Sequence, residues 1–231
     1  MIDGVRALTF DTYGTLVDWR SSVLDELKVL GPSVDRERFL HEWKAAYREG
    51  MDKVDRGEWP WTTVDEIYRR RLVELLDAYG VKRSAAEIET LNHAWRRLRP
   101  WPDTVAGLTR LKRRYVIAPL SNASFAGMVF LAKFAGLPWD CVITAENMKA
   151  YKPNPATYRA AIALLGLEPS AVMMVAAHNY DLRAARAEGM RTAFVPRPTE
   201  HGPGQTTDLE PDDAWDVVAK NVEDLAGALG A

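Results

Sequence analysis

Phe10-Asp11-Thr12-Tyr13-Gly14-Thr15 places an acid at the end of a short apolar run, Ala7-Leu8-Thr9-Phe10, and follows it with the residues of a tight turn. A carboxylate carried out of a sheet on a strand end meets the backbone N–H groups of the next turn. That position suits attack on an electrophilic carbon or phosphorus and formation of a covalent enzyme intermediate. The residue two places on is Tyr13 rather than a second acid. An unperturbed phenol ionises near ~10, so Tyr13 is a poor proton donor to an oxygen leaving group, and its ring is assigned to the pocket wall. The site therefore favours a group that departs as a stable anion, of which halide is one. Thr15 is assigned to orient the carboxylate through its hydroxyl.

Three later stretches carry further polar groups, the first and last at the ends of apolar runs and the middle one in a K-P-x-P turn: Pro119-Leu120-Ser121-Asn122-Ala123, Tyr151-Lys152-Pro153-Asn154-Pro155 with Tyr158 beyond it, and Val175-Ala176-Ala177-His178-Asn179-Tyr180-Asp181-Leu182. Each has a plain structural reading beside a chemical one. Ser121-Asn122 could cap the next helix, Asp181 could be a helix N-cap, Lys152 could be solvated and His178 could be a packed side chain.

Together, and in this order, the four stretches resemble the motifs of the haloacid dehalogenase superfamily. Its phosphatases carry D-x-D-x-T; the D-x-Y-G-T found here is similar to the branch of L-2-haloacid and haloacetate dehalogenases. The resemblance implies that Asp11 displaces halide and becomes esterified, that Lys152 and Thr15 hold it, and that Asp181 activates the water that cleaves the ester. It also implies that Ser121 and Asn122 bind the substrate carboxylate and the departing ion, and that Tyr158 lies near the Asp11–Lys152 pair. Two departures stand out. The last motif reads A-x-H-x-x-D where the dehalogenases more often read S-x-N-x-x-D, which puts His178 in the position of a water-orienting Asn. Lys44, within Glu42-Trp43-Lys44-Ala45-Ala46-Tyr47-Arg48, takes the place of the cap arginine that faces the halogen, and Arg48 shares its helix face at i+4.

To bring these residues together, the chain needs strands that end at one edge. Apolar runs at Val5–Phe10, Tyr115–Ser121, Cys141–Thr144, Val172–Ala177 and Thr192–Val195 alternate with helical patterns at Asp103–Arg113, Phe125–Ala135, Pro155–Leu165 and Leu182–Glu188. This predicts an α/β fold, a Rossmann-like parallel sheet covered on both faces, with its site at the carboxyl ends of the strands. Trp19 to Arg99 shows helical spacing and no strand pattern: Val23, Leu27 and Leu30; Phe39, Trp43 and Tyr47; Ile67, Arg71, Leu75 and Tyr79. The expected organisation is a core of residues 1–17 and 101–231 with a helical cap of residues 18–100. Trp19, Trp43, Trp59 and Trp61 are expected mainly in the cap interior, with one or two drying the pocket. The run Arg197 to Asp213, rich in Pro and Gly, reads as a surface loop.

With 231 residues, 47% apolar and 27% charged, the chain has the balance of a globular protein able to bury a large core. A net charge of −2 without a basic run gives no footprint for nucleic acid and favours a small-molecule partner, here a short haloacid. The single cysteine, Cys141, excludes an internal disulfide and is expected as a buried small hydrophobe. No charged-then-apolar leader precedes Val5 and no apolar run reaches the ~20 residues of a membrane helix, so a soluble cytoplasmic protein is expected. Dimerisation through the cap or adjoining helices is compatible with the apolar content, which internal packing could equally absorb. The expected chemistry requires neither metal nor organic cofactor. Two rivals remain at this level: a Mg2+-dependent phosphatase using Asp11 and Asp181 as oxygen donors, and a binding protein of the same fold without turnover.

Overall fold

The computed structural model describes residues 4–231; residues 1–3, counted with the expected core and with the stretch before Val5, lie outside the described residues. In chain order the elements are β1 (Ala7–Phe10), β2 (Val17–Asp18), α1 (Trp19–Glu26), α2 (Arg36–Asp55), α3 (Val64–Ala78), α4 (Ala85–Asn92), β3 (Arg99–Pro100), α5 (Thr104–Lys112) and β4 (Val116–Ser121). Then follow α6 (Phe125–Ala135), β5 (Ile143–Thr144), α7 (Ala145–Met148), α8 (Pro155–Leu165), β6 (Val172–Ala176), α9 (Asn179–Ala187), β7 (Arg191–Phe194), β8 (Val217–Val218) and α10 (Val222–Ala228).

Six strands form one sheet in the order β5-β4-β1-β6-β7-β8, every neighbouring pair parallel. From β1 the chain builds outward through β4 and β5, then crosses back and builds in the other direction through β6, β7 and β8. The order reverses around β1, and a crevice opens where successive connections leave toward opposite faces. Register sets the carboxyl ends of the three central strands level: Phe10 pairs with Pro119 on one side and Val175 on the other.

Alternation along the strands separates two cores. Leu8, Phe10, Ile117, Met173 and Val175 face a layer that includes Leu108 and Leu111 of α5 and Val222 and Leu225 of α10. Ala118, Leu120, Val172, Met174 and Ala176 face the opposite layer, with Tyr158 and Ala161 of α8 and Leu182 and Ala185 of α9. A strand buried on both sides has no solvent face to encode, which is why β6 reads VMMVA without a polar residue.

Between β2 and β3 the regular elements are helical, and β2 and β3 themselves pair antiparallel, Val17 with Pro100 and Asp18 with Arg99. That small ladder lies where the sequence pattern showed no strand, because two residues are too few to leave a periodicity. Leu27 and Leu30, expected to continue α1, belong instead to a 3-10 turn that ends at Gly31. α2 and α3 pack through Phe39, Trp43, Ile67, Tyr68, Leu72 and Leu75, all buried. Cys141 is exposed, not a buried hydrophobe: β5 begins only at Ile143, so residue 141 lies in the preceding loop. Among the described residues no helix is long and apolar enough to cross a membrane.

Candidate active site

Asp11 extends the β1 ladder by one step, its N–H donating to the Val175 carbonyl at 3.0 Å. The next turn needs a backbone that only glycine adopts freely: Gly14 has φ +89°, and a Cβ there would stand 2.1 Å from the carboxylate of Glu200. Thr15 follows, and its Oγ1 donates to Asp11 Oδ2 at 2.7 Å while accepting from the Ala177 N–H at 2.9 Å. The orientation of the Asp11 carboxylate is therefore tied to the end of β6.

On one flank of Asp11 lies Lys152, brought by the turn before α8. Its Nζ is 2.9 Å from Asp11 Oδ1 and 2.5 Å from Asp181 Oδ2. Tyr158 of α8 donates its hydroxyl to the other oxygen of Asp181, also at 2.5 Å. Asn122 holds the Lys152 backbone from both sides: Oδ1 accepts its N–H at 2.6 Å and Nδ2 donates to its carbonyl at 3.1 Å. The second amide hydrogen of Asn122 goes to the Tyr47 hydroxyl at 3.0 Å, so in this state the amide is already occupied. Ser121 Oγ accepts the Ala123 N–H at 3.2 Å. The cap of α6 is Ser124, not the Ser121–Asn122 pair, and the N-cap of α9 is His178, which leaves Asp181 within the first turn of that helix.

On the other flank His178 Nδ1 is 3.1 Å from Asp11 Oδ2 and its Nε2 is 2.9 Å from Glu200 Oε2. Glu200 was invisible in the sequence, lying in the stretch read as a surface loop. It is buried, and its Oε1 accepts from Trp19 Nε1 at 2.9 Å. Arg197 of the same stretch is buried too, forked onto Asp103 at 2.7 and 2.8 Å and donating to the Thr15 carbonyl at 2.8 Å. Only a three-dimensional pairing distinguishes these two from the solvated charges around them. Gly14, whose missing side chain makes room for Glu200, is the sole trace of the pairing in the sequence.

Electrostatics follow from this geometry. Burial opposes the ionisation of Asp11, but Lys152, His178 and the Thr15 hydroxyl overcome it and hold the carboxyl well below its ordinary range. Lys152 is likewise disfavoured by burial, yet Asp11 and Asp181 together raise it and keep it charged. Burial raises Asp181, with Lys152 pulling the other way and the charge of Asp11 adding to the rise. His178 lies well above its usual value: burial alone would lower it, and the charge of Glu200 with hydrogen bonds to Asp11 and Glu200 outweighs burial.

These groups meet at a cavity of about 790 Å³ lined by Asp11, Tyr13, Ser121, Asn122, His178 and Glu200 from the sheet side and by Trp19, Lys44, Tyr47 and Arg48 from the helical insertion. Asp181, Lys152 and Thr15 are behind this lining. Tyr13 donates its hydroxyl to the Trp95 carbonyl at 3.1 Å, and burial raises its ionisation further. Lys44 Nζ sits over the rings of Tyr47 at 4.3 Å and Trp19 at 5.0 Å, and burial pulls it down to about 8. Of the four tryptophans expected in the cap, Trp19 alone reaches the cavity wall. Among the described residues no group of three His, Cys, Asp or Glu side chains is arranged to hold a metal ion.

The family model for haloacid dehalogenase-like hydrolases matches residues 5–189, which include all four polar stretches. The chain belongs to the haloacid dehalogenase-like hydrolases. Within this family it is 29% identical over 248 aligned residues to (S)-2-haloacid dehalogenase 4A of Burkholderia cepacia, covering 98% of this chain and 100% of that protein. Among solved structures, an L-2-haloacid dehalogenase is 43% identical with a TM-score of 0.95, over 98% of this chain and 99% of the other. A defluorinating L-2-haloacid dehalogenase is 42% identical with a TM-score of 0.94, over 98% and 96%. The parallel sheet and its helical layers are thus the family's fold, as the sequence pattern predicted.

Proposed function

We propose that the protein hydrolyses short 2-haloacids, L-2-haloacids or haloacetate, to 2-hydroxy acids through an ester on Asp11. The observation that carries this reading is Asp11 itself: a buried carboxylate kept ionised by Lys152, His178 and Thr15, aimed into a cavity, with no second acid two residues on. Asp11 displaces the halide from carbon, and water then attacks the ester carbonyl carbon. Lys152 and Thr15 fix the nucleophile, and Asp181 with Tyr158 fixes Lys152. Ser121 and the Lys44 ammonium receive the substrate carboxylate and the leaving ion, joined by Asn122 as its amide exchanges the Tyr47 hydroxyl for the ligand, with Tyr13 forming part of the wall. The names of the relatives support the same activity.

The phosphatase alternative is less well supported. Tyr13 is engaged with the Trp95 carbonyl and its ionisation is raised by burial, so it does not supply the acid that an oxygen leaving group needs. The Lys152 ammonium contacts both Asp11 and Asp181, the two oxygen donors that reading required. In this reading residues 18–100 act as a cap that closes the cavity over a core of residues 1–17 and 101–231. We also place the protein in the cytoplasm, and we read the exposed Phe125, Phe130 and Phe134 of α6 as a surface for a homodimer, testable by sedimentation.

Chloroacetate and L-2-chloropropionate should release halide without added metal, while a phosphate ester with Mg2+ should release no phosphate. In a single turnover in oxygen-18 water, the label should enter the Asp11 carboxylate and leave the product unlabelled. Phosphate release without halide would reverse the assignment.

A further inference from the structure

The ester on Asp11 needs a base that can reach a water molecule, and Asp181 is poorly placed for that task. It is fully buried, Lys152 occupies one of its oxygens and Tyr158 the other, and it is not part of the cavity wall. His178 has the opposite attributes. It lines the cavity, its Nδ1 is 3.1 Å from Asp11 Oδ2, and its Nε2 is anchored on Glu200, which Trp19 holds in turn. We infer that His178, oriented by Glu200, takes the proton from the water that cleaves the Asp11 ester, and that Asp181 is a positioning residue for Lys152. This inference rests on the dehalogenase reading above.

The anchoring sets the tautomer. A neutral ring that donates Nε2–H to Glu200 presents a bare Nδ1 toward Asp11, and a carboxylate partner increases the basicity of that nitrogen. Esterification supplies the switch. In the resting enzyme the ring lies between two carboxylates and is charged; once Asp11 is an ester, one of the two negative charges has gone.

The proton balance closes. Asp11 attacks the carbon, the carbon–halogen bond breaks and halide leaves with its electron pair. The imidazolium then gives its Nδ1 proton to solvent, which accounts for the one acid equivalent of the overall reaction. Water adds to the ester carbonyl carbon as Nδ1 takes one of its protons. The tetrahedral adduct collapses by breaking the bond from that carbon to the substrate oxygen, which leaves as an alkoxide and takes up the second water proton. This returns Asp11 as carboxylate, His178 as imidazolium and the product as a 2-hydroxy acid. The charged and titratable groups around the ring are Asp11 after β1, Glu200 and His201 from the 197–202 turn, Tyr180 of α9 with ring centroids 5.7 Å apart, and Lys44 of α2 across the cavity.

The test is His178→Gln, which retains hydrogen-bonding capacity but cannot carry the proton. After rapid quenching with chloroacetate, this variant should show a burst of one halide per enzyme, an ester adduct on the Asp11 peptide and turnover reduced by about 10²- to 10⁴-fold. Turnover within a few-fold of the parent, or no burst, overturns the assignment. The parent protein separates the two levels: if it never releases halide, the dehalogenase reading itself fails, whereas a parent that turns over beside an unimpaired variant defeats only the role of His178. Glu200→Gln supplies a second readout should His178→Gln not fold. Removing that charge lowers the basicity of the ring, so the ascending limb of the kcat–pH profile should move to lower pH with a reduced plateau. A reduced plateau with an unmoved limb is the result of a merely structural glutamate and overturns the proposal.

Discussion

Asp11 is flanked by two cations of opposite character. Lys152 is buried behind the cavity wall, with Asp181 on its far side and Asn122 gripping its backbone. His178 stands at the wall, and its second partner, Glu200, reaches it from a distant loop. Both favour the ionised Asp11 carboxylate at rest. With the roles proposed for them, holding a charge and moving a proton call for different burial: the first wants every donor and acceptor matched away from water, the second wants one atom left facing the substrate.

Removing the shared partner should have the largest effect. Asp11→Asn is expected to lower halide release by about 10³-fold or more, read by a halide electrode; retention of a tenth of parent activity would break the comparison at its centre. Next comes stability. Asp181→Asn leaves a buried ammonium with one carboxylate in place of two, at a cost of about 3 kcal/mol in urea unfolding, whereas His178→Gln beside the cavity should cost about 1 kcal/mol. Equal losses would mean that the two flanks are not differently sealed. Gly14→Ala should cost about 1–3 kcal/mol through its positive φ, and it should also displace Glu200 and so impair turnover of the ester more than its formation, as rapid-quench kinetics would show.

Lys44 sharpens the contrast from across the cavity. Its ordinary value of 10.5 falls to about 8 on folding, so between those values the unfolded chain binds more protons than the folded one. Stability should rise through this window relative to Lys44→Met, while KM for the anionic substrate rises because the ammonium is being lost. A urea midpoint and a KM that both rise with pH through this window would establish the assignment; a flat or falling course in either would refute it. Smallest of all, Cys141→Ser in an exposed loop should change stability by no more than ~0.5 kcal/mol.

The sheet was legible because β1, β4 and β6 are continuous apolar runs that end in polar turns, and such an edge collects whatever those turns carry. Asp11, Thr15, Lys152, Asp181, Tyr158 and His178 are accordingly found in one hydrogen-bonded chain. Glu200 and Arg197 were not legible, since a charged residue in a Pro- and Gly-rich run looks the same whether it faces water or a buried partner. β2 and β3 escaped for want of length, and Cys141 was misplaced because a run as short as Cys141–Thr144 does not announce where its strand begins.

The ladder of Val17 and Asp18 with Arg99 and Pro100 has a consequence for how such molecules diversify. The chain departs from the sheet and comes back one strand spacing away, about 4.8 Å, so the intervening segment can lengthen, shorten or be grafted from a cousin without shifting the six-stranded register. Reaction chemistry and substrate size can then drift separately: one is inherited with the strand ends, the other with whatever protein is sewn between those two seams.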